Sequence, residues 1–281
     1  MKLQKLLKAC KRYLKNKNID SPELSAEVIF AHCLNESRLN IILEDRSLSN
    51  SQAKEIIKLI KKRGQGVPLA YLLGKKEFYG REFFVDENVL IPRPCTELII
   101  DLCKEKFPLN INLTFVDVGI GCGNIAITLL LEFPNFKGIG IDISKDALQV
   151  AKKNAEKFGV QTRLLLIQGN ILSAIEDNSI ALVVSNPPYL SCELLKKAMR
   201  EVVEFEPLIA LFGGEDGIQI PKYIFDQASR VLKKGGAIFM ELDSSQMDSI
   251  LDYLSYQRCW TDIKIYKDLE QKDRVIAAKL L

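Results

Sequence analysis

The feature that most constrains the fold is an alternation of short apolar runs and helical segments that starts near residue 113. Five of the apolar runs indicate strands: "NLTFVDVG", "FKGIGIDIS", "TRLLLIQGN", "IALVVSNPPY" and "AIFMELD". Segments between them, such as "KDALQVAKKNAEKFG", have the spacing of amphipathic helices. This alternation predicts an α/β domain with a mostly parallel, doubly wound sheet and helices on both faces. The final segment, "WTDIKIYKDLEQKDRVIAAKLL", predicts an antiparallel hairpin that closes a seven-stranded sheet, with the last strand reversed.

The first part of the chain shows helical spacing only. Apolar residues of its first segment recur every three or four positions: Leu3, Leu6, Leu7 and Cys10. Ser21 before Pro22 has the form of a helix cap followed by a first-turn proline, and a third helix is expected near "SNSQAKEIIKLIKKRGQG". "KEFYGREFFVDENVLIP", with Gly80 at a turn, predicts a β-hairpin. We therefore expect a small all-helical N-terminal domain over residues 1–74, a β-hairpin linker over 75–92 and the α/β domain over 93–281.

Charge limits the classes of partner. The 281 residues carry a net charge of +3, which is too small for a chain that binds nucleic acid over its whole surface. The excess is local, because "MKLQKLLKACKRYLKNKN" contains seven basic residues and no acidic one. These basic residues form either a solvated helix face or a docking face for an acidic partner, and the sequence leaves both interpretations open.

Composition also bears on location and on metal binding. The basic residues of the first segment interrupt any signal-peptide core, and no apolar run approaches the roughly 18 residues of a membrane span. Seven scattered cysteines without a C-x-x-C pair are typical of reduced thiols in a cytosolic protein. We therefore expect a cytoplasmic protein with no metal site and no membrane contact. The single histidine, His32, lies within the apolar "VIFAHCL", which argues against histidine-dependent catalysis.

The first core strand leads into a glycine-rich turn, "FVDVGIGCGN". Glycines allow a tight turn and a close approach of the backbone to a ligand. A dinucleotide fingerprint needs a glycine where Asn124 stands, and the lysine of a phosphate-binding loop is missing. Alternate glycines after an acid match instead the turn that wraps the amino-acid part of S-adenosylmethionine. The residues expected to contribute to this cofactor site are Asp117, Gly119, Ile120, Gly121, Cys122 and Gly123.

Two neighbouring strand ends extend the predicted cofactor site. Asp142 ends the strand "GIGID", where a carboxylate can accept hydrogen bonds from both ribose hydroxyls. Ser144 is available to cap the following helix, so Asp142 is not needed for that role. The adenine is expected beside Asn170 and Ile171, which follow the next strand.

The segment "SNPPYL" follows the fourth core strand and therefore faces the same crevice as the glycine turn. Pro187 and Pro188 stiffen the loop and leave its carbonyl groups as acceptors. Asn186 adds a side-chain oxygen, and Tyr189 adds a flat apolar wall. Together these four residues suit a planar –NH2 group, which has two hydrogens to donate and a face to stack. A proline-stiffened turn without function would explain the prolines but not the asparagine and the tyrosine. We therefore predict that the four residues form the catalytic slot, in which Asn186 also adjoins the cofactor.

Four segments in order resemble the HemK/PrmC family, the protein-(glutamine-N5) methyltransferases of peptide chain release factors. They are "PLAYLLGKKEFYGREFFVDENVLIPRPCTE", "DVGIGCGN", "SNPPYL" and "FEPLIALFGGEDG". The resemblance covers nearly the whole chain and implies a class I S-adenosylmethionine-dependent methyltransferase, Rossmann-like, with a substrate-docking helical domain. By resemblance, Asn186 and Pro187 bind the glutamine amide of a class-1 release factor, the enzyme works as a monomer, and stable binding of nucleic acid is not expected. "IPRPCTE" resembles the segment beside the active site, with Arg93, Thr96 and Glu97 in register, and "ELDSSQ" resembles a strand-to-helix segment of the family.

The chain departs from the family pattern at three places. Cys95 replaces an acidic residue, Asn170 replaces a frequent aspartate, and "KDLEQKDR" lacks a glycine that often precedes its final D/R pair. These departures bear on cofactor affinity and leave the NPPY segment unchanged.

Three other functions fit part of the pattern. An adenine-N6 DNA methyltransferase uses the same tetrapeptide, but it needs a target-recognition domain and a larger basic surface. A sister enzyme acts on a glutamine of a ribosomal protein, and "IPRPCTE" resembles the release-factor branch more closely. A methyltransferase fold kept only as a binding scaffold would not need Asp117, Asp142 and NPPY together.

Overall fold

The computed structural model describes residues 1–281, which form two compact units. The first unit contains Met1–Lys75 and Met199–Phe205, and the second contains Lys76–Ala198 and Glu206–Leu281. The helices are α1 Leu3–Asn16, α2 Pro22–Leu34, α3 Arg38–Leu43, α4 Asn50–Gly64, α5 Leu69–Leu73, α6 Glu97–Lys106, α7 Asn124–Glu132, α8 Lys145–Lys157, α9 Cys192–Lys197, α10 Arg200–Phe205, α11 Gln219–Val231 and α12 Met247–Gln257. The strands are β1 Lys75–Phe78, β2 Arg81–Phe84, β3 Thr114–Val118, β4 Lys137–Asp142, β5 Leu164–Gln168, β6 Ile180–Ser185, β7 Leu232–Glu241, β8 Trp260–Lys267 and β9 Asp273–Leu280. None of the helices is long and apolar enough to cross a membrane.

The first unit is a helical bundle around its own apolar core. The apolar face of α1 is buried as its spacing predicted, and α2 and α4 supply the other large core residues. The unit also contains α3, α5 and α10, which the sequence did not indicate. Helices of five or six residues span fewer than two turns, so they carry too few positions for a periodic signal.

Two serines precede helices of this unit, and only one of them caps its helix. Ser49 caps α4 through a capping box with Gln52, in which each side chain bonds the other residue's backbone N–H. Ser21 precedes α2 as predicted, but its side chain does not cap the helix. Ser21 adopts a left-handed backbone with φ of 47°, and its hydroxyl donates instead to Asp20. The proline at the first helical position has no N–H, so one of the donors left without a partner at a helix start is absent here.

A buried arginine attaches residues 199–205 to the helical unit. Arg63 of α4 pairs with Glu201 of α10 at 2.5 Å and also donates to the carbonyl of Val67 at 3.1 Å. Its side chain is 5% exposed, so the guanidinium depends on these partners. The chain thus leaves the α/β unit after the NPPY segment, contributes α10 to the helical unit, and returns at Glu206.

The hairpin forms where "KEFYGREFF" predicted it. Tyr79 and Gly80 connect β1 and β2 with φ of 51° and 69°, the positive values of a two-residue hairpin turn. Asn154 of α8 holds the second strand, because its side chain donates to the carbonyl of Phe84 at 2.9 Å and accepts from its N–H at 2.8 Å. The same amide donates to the carbonyl of Cys122 at 2.8 Å, so this fully buried residue joins the hairpin to the glycine turn.

The second unit is built on a seven-stranded sheet of order β5-β4-β3-β6-β7-β9-β8. Strands β3 to β7 are parallel, and β9 is antiparallel to β7 and to β8. The prediction of a mostly parallel sheet with a reversed last strand is confirmed. Apolar clusters lie on both faces of the sheet, as a doubly wound fold requires.

The strand register brings four chain segments to one edge of the sheet. Val118 at the end of β3 lies opposite Ile141 of β4 and Ser185 of β6, and Asp142 lies opposite Gln168 of β5. The glycine turn, Asp142, the loop after β5 and the NPPY segment therefore lie side by side. This is the edge where open α/β sheets bind their ligands.

Candidate active site

A cavity of about 470 Å³ opens at the carboxyl ends of β3, β4, β5 and β6. Its volume is in the range of small-molecule sites. Its walls include most of the predicted site residues: Gly119, Ile120, Gly121, Cys122, Asp142, Asn170, Ile171, Asn186, Pro187 and Pro188. Asp117, Gly123 and Tyr189, which were also predicted, do not line it.

The glycine turn is held by backbone hydrogen bonds. The N–H groups of Gly119 and Ile120 both donate to the carbonyl of Ile141, at 2.8 and 3.0 Å. Gly119, Gly121 and Gly123 have φ of 74°, 54° and 84°, a region in which residues with a Cβ are strained. A Cβ on Gly119 would meet no atom within 4 Å, so this glycine borders open space on the cavity side. A Cβ on Gly123 would lie 2.8 Å from the side chain of Ile127. Gly123 therefore packs against α7, where there is no room for a side chain.

Asp142 lies on the cavity wall and supports the same turn. Its Oδ2 accepts from the N–H of Gly121 at 3.0 Å, and its Oδ1 accepts from the N–H of Ser144 at 2.9 Å. Burial raises the pKa of Asp142, and the backbone N–H groups that it accepts from oppose that rise. Each oxygen keeps lone-pair capacity for a further donor in the cavity. Ser144 caps α8 through Ala147 at 3.1 Å, so the capping role belongs to the serine as expected.

Asp117 is fully buried beneath the turn rather than exposed to the cavity. Its Oδ2 accepts from the N–H of Ala126 in the first turn of α7 at 3.1 Å, and its Oδ1 has no hydrogen-bond partner. Burial raises the pKa of Asp117 to about 7, and the charge of Asp142 adds to the rise. In the structure, Asp117 therefore supports the junction between β3 and α7.

The loop after β5 has a strained backbone at the predicted adenine position. Ile171 has φ of 53°, a conformation that is costly for a β-branched residue. The loop is fixed on both sides, because Gly169 donates to the carbonyl of Asp142 at 3.0 Å and Leu172 donates to the side chain of Gln227 at 2.9 Å. Asn170 and Ile171 are thereby held against the cavity.

Asn186 presents an unusual polar atom to the cavity. Its Nδ2 donates to the hydroxyl of Thr96 at 3.1 Å, whereas its Oδ1 is buried and has no hydrogen-bond partner. A buried acceptor without a partner costs about 1–3 kcal/mol, and such groups in native structures call for an explanation. A donor that enters the cavity would satisfy this oxygen.

Tyr189 anchors the NPPY segment from behind. Its hydroxyl donates to Oε1 of the fully buried Glu241 at 3.0 Å, and its carbonyl accepts from the side chain of Gln246 at 2.6 Å. The expected aromatic wall is therefore not supplied by Tyr189. The hydroxyl draws the ring towards the strand-end acid and away from the cavity. Burial, followed by the negative charge of Glu241, raises the pKa of this phenol well above its usual value.

The segment "IPRPCTE" borders the cavity through Pro92, Arg93 and Thr96. Arg93 pairs with the buried Glu206 at 2.5 Å. Glu206 also accepts from the N–H of Ile91 at 3.1 Å, so it links this segment to the chain that follows α10. Glu97 lies elsewhere, since it accepts from the N–H of Tyr79 in the hairpin at 2.7 Å.

Sequence reasoning missed the apolar side chains of the cavity. Ile143, which is 52% exposed, lines the cavity, as do the exposed side chains of Leu208, Ile209 and Phe212. Exposed large apolar residues that line a cavity are typical of a ligand or partner site. The signal was present in "FEPLIALFGGEDG" and in the residue after Asp142, but it cannot be separated from ordinary core residues without a structure.

Comparison with known proteins gives matches over both units. Residues 5–74 match the family model described as the PrmC N-terminal domain, and residues 109–275 match a methyltransferase domain. A release factor glutamine methyltransferase of Nitratidesulfovibrio vulgaris is 37% identical over 280 residues, which cover 99% of this chain and 95% of that protein. A protein of the same name from Koribacter versatilis is 37% identical over 282 residues, which cover 99% of each.

The chain belongs to the release factor glutamine methyltransferase family. The resemblance noted in the sequence is thereby confirmed, and the protein is an S-adenosylmethionine-dependent methyltransferase.

Solved structures support the fold. A methyltransferase from Pyrococcus furiosus has a TM-score of 0.54 at 17% identity, over 73% of this chain and 91% of that one. A ribosomal protein L11 methylase from Lactobacillus delbrueckii subsp. bulgaricus has a TM-score of 0.50 at 18% identity, over 70% of this chain and 83% of that one. The predicted fold class is confirmed.

The cavity of this family member fits S-adenosylmethionine in chemistry as well as in size. Asp142 has acceptor capacity for ribose hydroxyls, and Ile143 and Ile171 offer apolar surface for a flat base. The turn at Gly119 leaves space where a side chain would otherwise stand. These groups all line one cavity, so a single ligand can contact all of them.

Proposed function

We propose that this protein transfers the methyl group of S-adenosylmethionine to the side-chain nitrogen N5 of the glutamine in the Gly-Gly-Gln motif of class-1 peptide chain release factors. The observation that carries the proposal is the buried, unpartnered Oδ1 of Asn186 on the cavity wall. A primary amide has two N–H donors, one of which would satisfy this oxygen. The relatives' printed name supports the choice of a release factor as substrate.

The roles of the residues follow from their positions. Gly119 to Gly123, Asp142, Asn170 and Ile171 would hold the cofactor, which supplies an electrophilic methyl group when bound. Asn186 Oδ1 and the carbonyl of Pro187 would accept the two amide hydrogens, and Pro188 would stiffen the loop. Tyr189 and Asp117 would act from behind the wall, by holding the NPPY segment and the glycine turn.

This arrangement addresses the weak nucleophilicity of an amide, whose nitrogen lone pair is delocalised. Two fixed acceptors hold the amide plane so that the lone pair faces the methyl group. They also stabilise the positive charge that develops on nitrogen during transfer. The methylated nitrogen then loses a proton to solvent, so the residues do not need to include a strong base.

The proposal extends to the setting of the reaction. We propose that the helical domain, residues 1–74, docks the release factor, that residues 75–92 link it to the methyltransferase domain over 93–281, and that the enzyme works as a monomer. Since its substrate acts in translation, we propose that the enzyme works in the cytoplasm.

The decisive experiment uses the purified enzyme, labelled cofactor and four acceptors. They are a class-1 release factor, the same factor with its Gly-Gly-Gln glutamine changed to alanine, duplex DNA, and ribosomal proteins. We expect one methyl on the glutamine side-chain nitrogen of the unaltered factor, located by mass spectrometry. Label on DNA adenine or on a ribosomal protein alone would assign the chain to one of the alternative functions, and no label on any acceptor would contradict the proposal.

A further inference from the structure

The NPPY segment has few hydrogen-bond donors of its own with which to hold its backbone. Pro187 and Pro188 have no N–H, so two consecutive residues lack the group that would tie them to a neighbouring strand or loop. Before the prolines the chain is fixed in the sheet, where Ser185 lies opposite Val118 of β3 and Met240 of β7. Beyond the prolines, support has to come from groups that approach the segment from outside.

Gln246, which directly precedes α12, is such a group. Its Nε2 donates to the carbonyl of Tyr189 at 2.6 Å and to the carbonyl of Asp216 at 3.4 Å. Its Oε1 accepts from the N–H of Asp243 at 3.4 Å. A carbonyl can only accept and a backbone N–H can only donate, so these partners allow a single orientation of the amide. Gln246 is buried, with 4% of its surface exposed.

The loop over residues 211–217 packs against the same stretch of backbone. Leu190, which follows the NPPY segment, donates to the carbonyl of Leu211 at 2.8 Å and accepts from the N–H of Gly213 at 3.0 Å. A Cβ on Gly213 would lie 2.5 Å from the carbonyl oxygen of Pro188. The loop can approach the segment this closely only because residue 213 has no side chain.

We propose that Gln246 and Gly213 are positioning residues for the methyl transfer. Neither lines the cavity, so both act on the NPPY segment from outside it. Gln246 holds the carbonyl of Tyr189, and Gly213 leaves room for the carbonyl of Pro188, so the two acceptors for the glutamine amide stay in place. A displacement of about 1 Å at a reacting group can lower a rate about a hundredfold. This positioning role rests on the proposed function, which assigns those acceptors.

The test has to separate positioning from helix capping, because Gln246 also forms a capping box with Asp243. Gln246→Glu keeps the shape and an oxygen for the N–H of Asp243, but its carboxylate has no hydrogen to donate to the carbonyl of Tyr189. Gln246→Met keeps the length and loses both contacts. We expect each variant to lower kcat on the release factor at least tenfold, with the dissociation constant for S-adenosylmethionine changed less than threefold. A smaller fall in kcat for either variant would overturn the inference.

Asp243→Ala is the matched control for capping. It removes the carboxylate that accepts from the N–H of Ser245 at 3.0 Å and leaves the amide of Gln246 in place. We expect it to lower stability and to keep kcat within about threefold of the unmodified enzyme. A loss of kcat equal to that of Gln246→Glu would assign the effect to the cap and overturn the inference.

A short Gly-Gly-Gln peptide supplies a second substrate for the same variants. It presents the same amide without the rest of the release factor, so the fall in kcat for Gln246→Glu should be about the same on both substrates. A fall confined to the whole factor would show that Gln246 acts in docking, and would overturn its positioning role.

Gly213→Ala tests the second contact, with Gly236→Ala as its control. Neither glycine has a φ in the left-handed region, so alanine adds volume at both positions without that backbone strain. A Cβ on Gly236 would also crowd a carbonyl, that of Lys233 at 2.8 Å, but Gly236 lies in the first half of β7, away from the strand ends that form the cavity. We expect Gly213→Ala to lower kcat at least tenfold and Gly236→Ala to keep it within about threefold. Equal effects on kcat would overturn the role of Gly213.

The same assays separate the positioning role from the function on which it rests. If the unmodified enzyme does not methylate the release factor, the proposed function fails and the positioning role fails with it. If the unmodified enzyme is active and Gln246→Glu and Gly213→Ala are equally active, only the positioning role is overturned.

Discussion

Oδ2 of Asp142 accepts a hydrogen bond from the backbone N–H of Gly121 at 3.0 Å, so the acid that ends β4 also holds the glycine turn after β3. The carboxylate proposed to bind the ribose and the glycine turn proposed to hold the amino-acid part of the cofactor are therefore joined by a hydrogen bond. A change at Asp142 should affect the cofactor in two ways, by loss of its own acceptors and by loosening of the turn.

For Asp142→Ala we expect S-adenosylmethionine binding to weaken by about 1.5–3 kcal/mol, the scale of hydrogen bonds to a charged group. Asp142→Asn keeps one oxygen that can accept from Gly121, so its loss of cofactor-binding free energy should be smaller. Titration calorimetry measures both dissociation constants. An unchanged constant for the alanine variant would remove Asp142 from the cofactor site.

Changes at Asn186 test the proposed slot. Asn186→Ala removes the acceptor and should lower turnover about a hundredfold or more, which is the scale for one preorganised polar partner. Asn186→Asp keeps an acceptor of the same shape and adds a negative charge, so we expect partial activity, well above the alanine variant. Turnover is measured on a release factor with saturating cofactor. Full activity of Asn186→Ala would contradict the proposed role of its oxygen.

The basic face of α1 tests the docking role of the helical domain. Lys8, Arg12 and Lys15 are exposed and lie three or four positions apart, whereas Lys11 already pairs with Glu27 at 2.6 Å. Changing the three exposed residues to glutamate should slow association with the release factor at low salt, because rim charges act mainly on the association rate. Methylation of a short Gly-Gly-Gln peptide should stay unchanged.

The matched control reverses three exposed lysines of the α/β unit, Lys233, Lys234 and Lys264. It makes the same change in net charge at another place. Stopped-flow association at two salt concentrations should show a larger effect for the α1 variant. Equal effects of both variants, or equal losses on factor and peptide, would show that the α1 face does not dock the substrate.

Asn154 should be important for stability. The side chain of this fully buried residue makes three hydrogen bonds, to Phe84 and Cys122, and Asn154→Ala would leave their backbone groups without partners. We expect the free energy of unfolding to fall by about 2–4 kcal/mol. Urea unfolding measures it, with Asn135→Ala as control, since Asn135 is exposed and makes one hydrogen bond to Asn110. Similar losses for both variants would contradict the bridging role of Asn154.

The buried Asp117 predicts a pH dependence of stability. Its pKa rises from 3.8 to about 7 on folding, so between these values the folded state binds the proton more tightly than the unfolded state. This group therefore favours the folded state less and less as pH rises through that window, by at most about 4 kcal/mol. Asp117→Asn keeps an acceptor for Ala126 and cannot titrate.

We expect Asp117→Asn to gain stability relative to the unmodified protein as pH rises from 5 to 8. The raised pKa of Glu241 affects both proteins equally and cancels in the difference, whereas Asp142 is coupled to Asp117 by charge and adds a smaller contribution. Denaturant unfolding at the two pH values measures this difference. A difference that does not change with pH would mean that Asp117 is ionised throughout.

The sequence by itself determined the sheet, the reversed last strand and the segments that border the cavity. Apolar periodicity along the chain specifies strands and helices, and strands that alternate with helices run parallel. The residues after each strand must then meet at one edge. Gly119, Asp142, Asn170 and Asn186 could therefore be grouped correctly although up to 67 positions separate them.

Only the tertiary structure decided which way individual side chains face and which distant residues they contact. Asp117 and Tyr189 turn away from the cavity because α7 and Glu241 provide their hydrogen-bond partners. Asn154, Glu241 and α10 carried no local signal, because their roles depend on groups 32 to 146 positions away. Periodicity is a property of neighbouring residues, whereas a buried polar group takes its orientation from whatever partner the packed fold brings within about 3 Å.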